Sequence, residues 1–423
     1  MSSEGDQGVR PVRNWPGTPQ FRARSCPFRG RPAICPAHFG QEQIAKTPED
    51  FPIKDTVSDS PSPYTRLTVL GAGSWGTALA CVAARAGCEV RLWARSPERA
   101  ADINATGRNE AYLPGIDLPP GITATAELAE ALDAAEAVLL VTPSSTLRSM
   151  CQAIAPHIPE GIPLALACKG VEKRTGYLLS EVVSEELPGH PVGAVSGPTF
   201  ARETALDYPT AATVAFPFRY ADRLEPRNSP AARMALSLSG GAFRPYVSDD
   251  LVGVEVGGAI KNVIAIACGM MSGAGFAENT RAALITRGTD EMKLLAQALG
   301  GRRETVTGLA GAGDLTLTCS STTSRNMSLG TQLGQGIPRP SCFEGRSVVV
   351  EGEVNAVSVT DLAARIGVDM PICETVNAIL HKGADLRDAF NALWARPLEA
   401  EPFMLDFSLE HPSDAMPIQF KAD

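Results

Sequence analysis

Residues 67–76 read LTVLGAGSWG, and this short stretch constrains the fold more than any other. Gly71, Gly73 and Gly76 make a G-x-G-x-x-G pattern between a strand-like run, Leu67–Leu70, and a run of small helix-forming residues from Thr77 to Ala86 that stops at Gly87. Glycines alone carry little information; glycines between a strand and a helix carry a great deal. The first permits the tight turn, the second lets a pyrophosphate approach the backbone, and the third lets helix and strand pack closely. The helix start then offers free N–H groups and a partial positive charge to the phosphates. The stretch predicts a dinucleotide site; the alternative is a tight β-turn-α unit with no ligand.

Strand-like runs recur at Glu89–Trp93, Gly121–Thr125, Ala137–Val141, Pro163–Ala167 and Pro191–Val195, with helical stretches such as Glu127–Leu132 and Thr146–Ile154 between them. That alternation predicts a parallel doubly wound sheet. Thr210–Phe216 and Ala242–Val247 are expected to add strands at its far edge. From Val252 the pattern becomes helical, most clearly over 252–300 and 353–382. The expected architecture is α/β: an N-terminal Rossmann doubly wound sheet over 67–250, an all-α C-terminal domain over 251–400, and a tail over 401–423. Residues 1–66 contain ten prolines, and all six charges between Val9 and Gly40 are arginines. They read as a disordered extension, with a transit peptide or a misassigned start as alternatives.

Composition narrows the function. Hydrophobic residues make up 44% and charged residues 20% of the 423, enough for a full core. The formal net charge of −9 argues against nucleic acid as a partner, since it repels a phosphate backbone. No apolar run is expected to reach the length needed to cross a bilayer, roughly 20 residues; the best candidate, 251–271, is interrupted by Glu255 and Lys261. Ten cysteines without a C-x-x-C pair suggest reduced core thiols in a cytoplasmic protein, not a disulfide framework or a metal site.

The end of the second strand, Trp93-Ala94-Arg95-Ser96, lacks the carboxylate that usually binds the ribose hydroxyls of NAD. Arg95 is suited to a 2′-phosphate, so NADP is preferred and NAD possible; the alternative is a solvated loop arginine. Two further strands end in Cys168-Lys169-Gly170 and Ser196-Gly197-Pro198-Thr199, at the strand carboxyl ends where ligands bind in such folds. In VEVGGAIKNVIAIACG (254–269), Lys261 and Asn262 stand among small and apolar residues. A lysine in a dry site has a lowered pKa and can give a proton to a carbonyl oxygen; the alternative is a lysine snorkelling from a helix end. Asp314 follows a glycine-rich loop and could instead cap a helix. Arg325-Asn326 opens another helix, a combination suited to a phosphate dianion.

The chain resembles the bacterial NAD(P)-dependent glycerol-3-phosphate dehydrogenases over roughly 67–400. The resemblance rests on GAGSWGTALA (71–80), YLPGIDLPPGI (112–122), CKGVE (168–172), SGPTFA (196–201), VGVEVGGAIKNVIAIACG (252–269), GLAGAGDLTLTC (308–319), SRN (324–326) and VVVEG (348–352), in that order. It implies reversible reduction of dihydroxyacetone phosphate to sn-glycerol 3-phosphate, a precursor of phospholipid head groups, and a homodimer. It implies that Ser74 and Trp75 lie against the cofactor and that Lys169 contacts cofactor and substrate. Gly197 and Thr199 bind substrate, with Ala201 near the nicotinamide nucleotide. Lys261 is the proton donor and acceptor, and Asp314 orients it or a substrate hydroxyl. Ser324, Arg325 and Asn326 take the substrate end, with Arg325 on the phosphate and also reaching the cofactor. Glu351 and Val349 close over the cofactor.

The chain departs from the usual pattern in 1–66, in the loop Thr331–Arg346 and in Glu353–Ala356, which bears on the lid and on cofactor choice. A β-hydroxyacid-type NADP dehydrogenase is the alternative enzyme; Asp314 and the Ser-Arg-Asn segment argue against it. A non-catalytic NADP-sensing regulator would need the glycine loop but not Lys169, Lys261 and Asp314 together.

Overall fold

The computed structural model describes residues 62–399 and 408–409. Eight strands form one sheet: β1 Arg66–Leu70, β2 Glu89–Trp93, β3 Ile122–Thr125, β4 Ala137–Leu140, β5 Leu164–Leu166, β6 Val192–Ser196, β7 Thr210–Ala215 and β8 Phe243–Ser248. Their order across the sheet is β3-β2-β1-β4-β5-β6-β7-β8. All neighbours are parallel except β6 and β7. The central strands read AVLL and LAL and are buried throughout, because helices cover both faces of a parallel sheet. The edge strand β8 carries Pro245, which gives no N–H to a further strand.

The order reverses between β1 and β4, which opens a crevice at the carboxyl ends of the strands. The glycine turn after β1, Lys169 after β5 and Gly197 after β6 all sit at that edge.

The helix Leu251–Gly273 is the axis of the second half. Asp250 caps it, accepting from Gly253 N at 3.0 Å. It packs against the helices Glu278–Ala298, Asp314–Ser320, Arg325–Gly334 and Glu351–Ile366. Its crossing with Arg325–Gly334 is close enough that a Cβ on Gly269 would lie 2.3 Å from Met327 O, and one on Gly330 2.1 Å from Ile266 O. With 23 residues it is long and apolar enough to cross a bilayer, contrary to the expectation from the sequence, but 83% of its apolar 18-residue stretch is buried inside the protein. Burial of its whole circumference explains its composition.

The folded unit includes residues before Leu67. Tyr64 is buried, its N–H donates to Ser237 Oγ, and Arg233 stacks on its ring at 4.1 Å. The expected extension otherwise lies outside the described residues. The expected tail is not wholly irregular, since Ser408–Leu409 pairs antiparallel with Leu398–Glu399. The sheet and the helices belong to one compact unit. Among the described residues eight cysteines are free, seven of them buried, and no group of His, Cys, Asp and Glu has a metal-binding arrangement.

Candidate active site

The glycine turn has the geometry that its pattern requires. Gly71 has φ +127°, and a Cβ there would approach Val141 O to 2.9 Å. A Cβ on Gly76 would lie 1.8 Å from Gly71 O, so strand and helix could not approach as they do. Around Gly73, by contrast, nothing stands within 4 Å of a Cβ. Its backbone faces open space at the start of the helix Ser74–Arg85, as a pyrophosphate cradle needs. The residues present therefore fit a dinucleotide.

The loop 107–118 braces this turn. Asn109 Nδ2 donates to Ala72 O (3.0 Å) and Thr77 Oγ1 (2.8 Å), and Ser74 Oγ donates to Tyr112 O (2.9 Å). Trp75 and Ala201 both pack against the cluster of Ala78, Leu113, Ile116 and Ala205. The YLPG run thus has a structural task. Asn109 had no signal in the sequence, because its partners Ala72 and Thr77 lie 37 and 32 positions away.

Arg95 is exposed at the end of β2 and forms no hydrogen bond or ion pair among the described residues. Ser96 caps the helix Pro97–Thr106 by accepting from Arg99 N, and its hydroxyl donates to Glu98 Oε2 at 2.6 Å. A carboxylate therefore does stand at this strand end, three residues beyond Arg95.

The lysines converge. Lys261 Nζ donates to Asp314 Oδ1 at 2.7 Å and to Thr318 Oγ1 at 2.9 Å. Lys169 Nζ donates to the other oxygen, Asp314 Oδ2. The side chains of Lys169, Lys261 and Asp314 are 15%, 11% and 2% exposed. Burial holds the Lys261 ammonium below the ordinary lysine range; Asp314 pulls the other way and Lys169 reinforces the lowering. For Asp314, burial pushes the carboxyl up, but the two ammonium groups together keep it below its usual value.

Two features of the backbone set this up. A π-type turn, Leu309–Gly313, delivers Asp314 as the first residue of its helix, so Asp314 is not that helix's N-cap. Gly258, one turn before Lys261, leaves room for the Lys169 stem, whose Cγ would be 3.2 Å from a Cβ there. Thr318 was not anticipated, although its i+4 spacing from Asp314 places both on one helix face.

The loop after β6 borders the group. Pro198 lies 3.8 Å from a Cβ built on Gly313, and Thr199 Oγ1 donates to Gly197 O at 3.2 Å. Ser324 caps the helix Arg325–Gly334, accepting from Met327 N. Arg325 is exposed at its first position and forms no hydrogen bond or ion pair among the described residues. Asn326 is committed within the protein: Nδ2 donates to Asn262 Oδ1 (2.9 Å), and Oδ1 accepts from Gly352 N (2.9 Å). Asn262 Nδ2 in turn donates to Glu351 Oε2 at 3.2 Å. These two asparagines tie three helices together and hold Glu351, while Val349 just before it is 63% exposed.

The family described as NAD-dependent glycerol-3-phosphate dehydrogenase N-terminus matches residues 66–220, and its C-terminus counterpart matches 250–391. The glycerol-3-phosphate dehydrogenase [NAD(P)+] of Rhodospirillum rubrum is 48% identical over 335 residues, covering 79% of this chain and 93% of that protein. That of Caulobacter vibrioides is 47% identical, covering 80% and 99%. The crystal structure of glycerol-3-phosphate dehydrogenase from Coxiella burnetii superposes with a TM-score of 0.71 at 38% identity, covering 79% of this chain and all of that one. The chain belongs to the NAD-dependent glycerol-3-phosphate dehydrogenase family.

Proposed function

We propose that the protein reversibly reduces dihydroxyacetone phosphate to sn-glycerol 3-phosphate, using NADP in preference to NAD, and so supplies glycerophospholipid synthesis. The observation that carries this reading is the buried carboxylate of Asp314, gripped by two lysines at once. When bound, the nicotinamide supplies the hydride for carbon 2 of the ketone. Gly71, Gly73, Ser74, Trp75 and Gly76 hold the dinucleotide, with Arg95 at its 2′-phosphate and Ala201, Val349 and Glu351 around its other end.

Lys261 gives its proton to the oxygen on carbon 2 as that oxygen gains charge, and takes it back in the reverse direction. Lys169 adds positive charge beside the same oxygen, in a site where little water screens it. Asp314 holds both lysines in register. Arg325 and the helix start at Ser324 bind the substrate phosphate, Gly197 and Thr199 line the substrate, and Asn326 fixes the surrounding helices. The enzyme works as a homodimer in the cytoplasm. Oxidation of NADPH on addition of dihydroxyacetone phosphate tests the reading; turnover of a β-hydroxyacid in its place, with none of the phosphorylated ketone, contradicts it.

A further inference from the structure

Glu255 is a buried carboxylate that the chemistry above does not use. It lies on the same helix as Lys261, a turn and a half earlier, yet it faces a different element. Ser180 N donates to Glu255 Oε1 at 2.9 Å, Ser180 Oγ donates to Oε2, and Leu179 N also points at the carboxylate. Glu255 thus caps the start of the helix Leu179–Glu186 from outside, where the free N–H groups and the helix dipole favour an anion.

What Glu255 grips is the far end of the loop that carries Lys169. That loop leaves β5, and Val171 and Leu178 close it with an antiparallel bridge. Glu172 N donates to Tyr177 O at 2.9 Å inside the bridge. Val171 and Leu178 are both buried against the Leu251–Gly273 helix, in one cluster with Val256 and Ile260. Only one residue, Gly170, separates the bridge from Lys169. A small cavity lined by Lys169, Ser196, Glu255 and Gly258 lies between the grip and the lysine, and Ser196 Oγ there is buried without a hydrogen-bond partner among the described residues. This space adjoins the Lys169 stem, so among the described residues nothing packs against the stem on that side and its position depends on the loop that carries it.

We propose that Glu255 is a positioning residue for Lys169. It fixes Ser180 and Leu179, and through the Val171–Leu178 bridge it fixes where the Lys169 ammonium meets Asp314. The same helix therefore sets both lysines: Lys261 directly and Lys169 through Glu255. This role rests on the activity proposed above.

A double-mutant cycle on the full-length enzyme tests it, with kcat/KM for dihydroxyacetone phosphate as the readout. Glu255→Leu is expected to lower kcat/KM by about 10- to 100-fold, the usual effect of misplacing a catalytic group by an ångström or less. In a Lys169→Ala background the same change is expected to cost less than about twofold, since no lysine remains to be misplaced. Glu255→Gln keeps an acceptor for Ser180 N and a donor for Ser180 Oγ, and is expected to restore activity to within about threefold of wild type. If Glu255→Leu does not fold, Ser180→Ala takes its place in the cycle with the same non-additivity and a smaller loss. Equal losses in the two backgrounds, a Gln variant as poor as the Leu variant, or a Leu variant with wild-type kcat/KM would each overturn the role. A wild-type enzyme inactive on the phosphorylated ketone would sink the activity itself, and this role with it.

Discussion

Lys261 and Asp314 stand 53 positions apart in the chain and meet as a buried pair, Nζ 2.7 Å from Oδ1. Because Lys169 occupies the second oxygen, two ammonium groups share one carboxylate. The group carries a net positive charge where solvent is scarce, and in the proposed reaction a substrate oxygen gaining negative charge would complete the balance.

The pH dependence of glycerol 3-phosphate oxidation follows from that arrangement. With Lys261 as the proposed base, oxidation needs it neutral, so kcat/KM should rise with pH through the Lys261 pKa. Burial places that rise below the ordinary lysine range of about 10.4. Lys169 lowers this pKa and Asp314 raises it. Lys169→Met should therefore move the rise to higher pH, and Asp314→Asn to lower pH, in whatever activity each retains. Shifts in the same direction would contradict the assignment.

The glycine turn separates folding from binding. Gly76→Ala forces a contact of 1.8 Å with Gly71 O and should destabilise the first β-α unit by several kcal/mol. Gly73→Ala meets nothing within 4 Å. It should melt within a few degrees of wild type yet bind NADPH at least about 10-fold more weakly, measured by nucleotide fluorescence. Unchanged affinity would remove Gly73 from the cradle.

Neighbours in sequence, Arg325 and Asn326 should fail differently. Arg325→Ala leaves the fold intact and raises KM for dihydroxyacetone phosphate by about 10-fold or more, as expected for a lost charged hydrogen bond. Asn326→Ala leaves Gly352 N and Asn262 Oδ1 unpaired, at a cost of about 1–3 kcal/mol of stability in denaturant titration.

Stability should fall as pH rises from about 4.5 to about 7. Burial pushes the Glu291 carboxyl up to about 7, although it accepts from Ile372 N and Cys373 N at the start of the helix Pro371–His381. Burial raises Glu255 to a similar value. A raised carboxyl binds its proton more tightly folded than unfolded, so its contribution is complete below the unfolded value and is lost as pH passes the folded one. Glu291→Gln should flatten its share of the slope in melting curves taken across this range; an unchanged slope would show that Glu291 ionises as freely folded as unfolded.

Much of this is legible in the sequence. The glycine turn, the parallel strands and the helical character of 252–300 announce themselves through local periodicity and spacing. Lys169, Lys261 and Asp314 stood out because a charged residue in an apolar run needs a reason. Partnership was not legible. That Asn326 spends both ends of its amide on Asn262 and Gly352, or that Glu255 reaches across to Ser180, depends on which helices cross, and crossing leaves no trace in local pattern. The membrane-length expectation failed for a related reason. Glu255 and Lys261 interrupt the apolar run on paper, but in the fold both are buried and paired, and the helix is apolar all round because protein surrounds it.

The central claim is that Lys261 moves the proton, and the initial rate of NADPH oxidation with saturating dihydroxyacetone phosphate, wild type against Lys261→Ala, tests it most directly. The account predicts a loss of about 10²–10⁴ in kcat, with NADPH affinity kept within about twofold. A Lys261→Ala enzyme turning over at near the wild-type rate would contradict it.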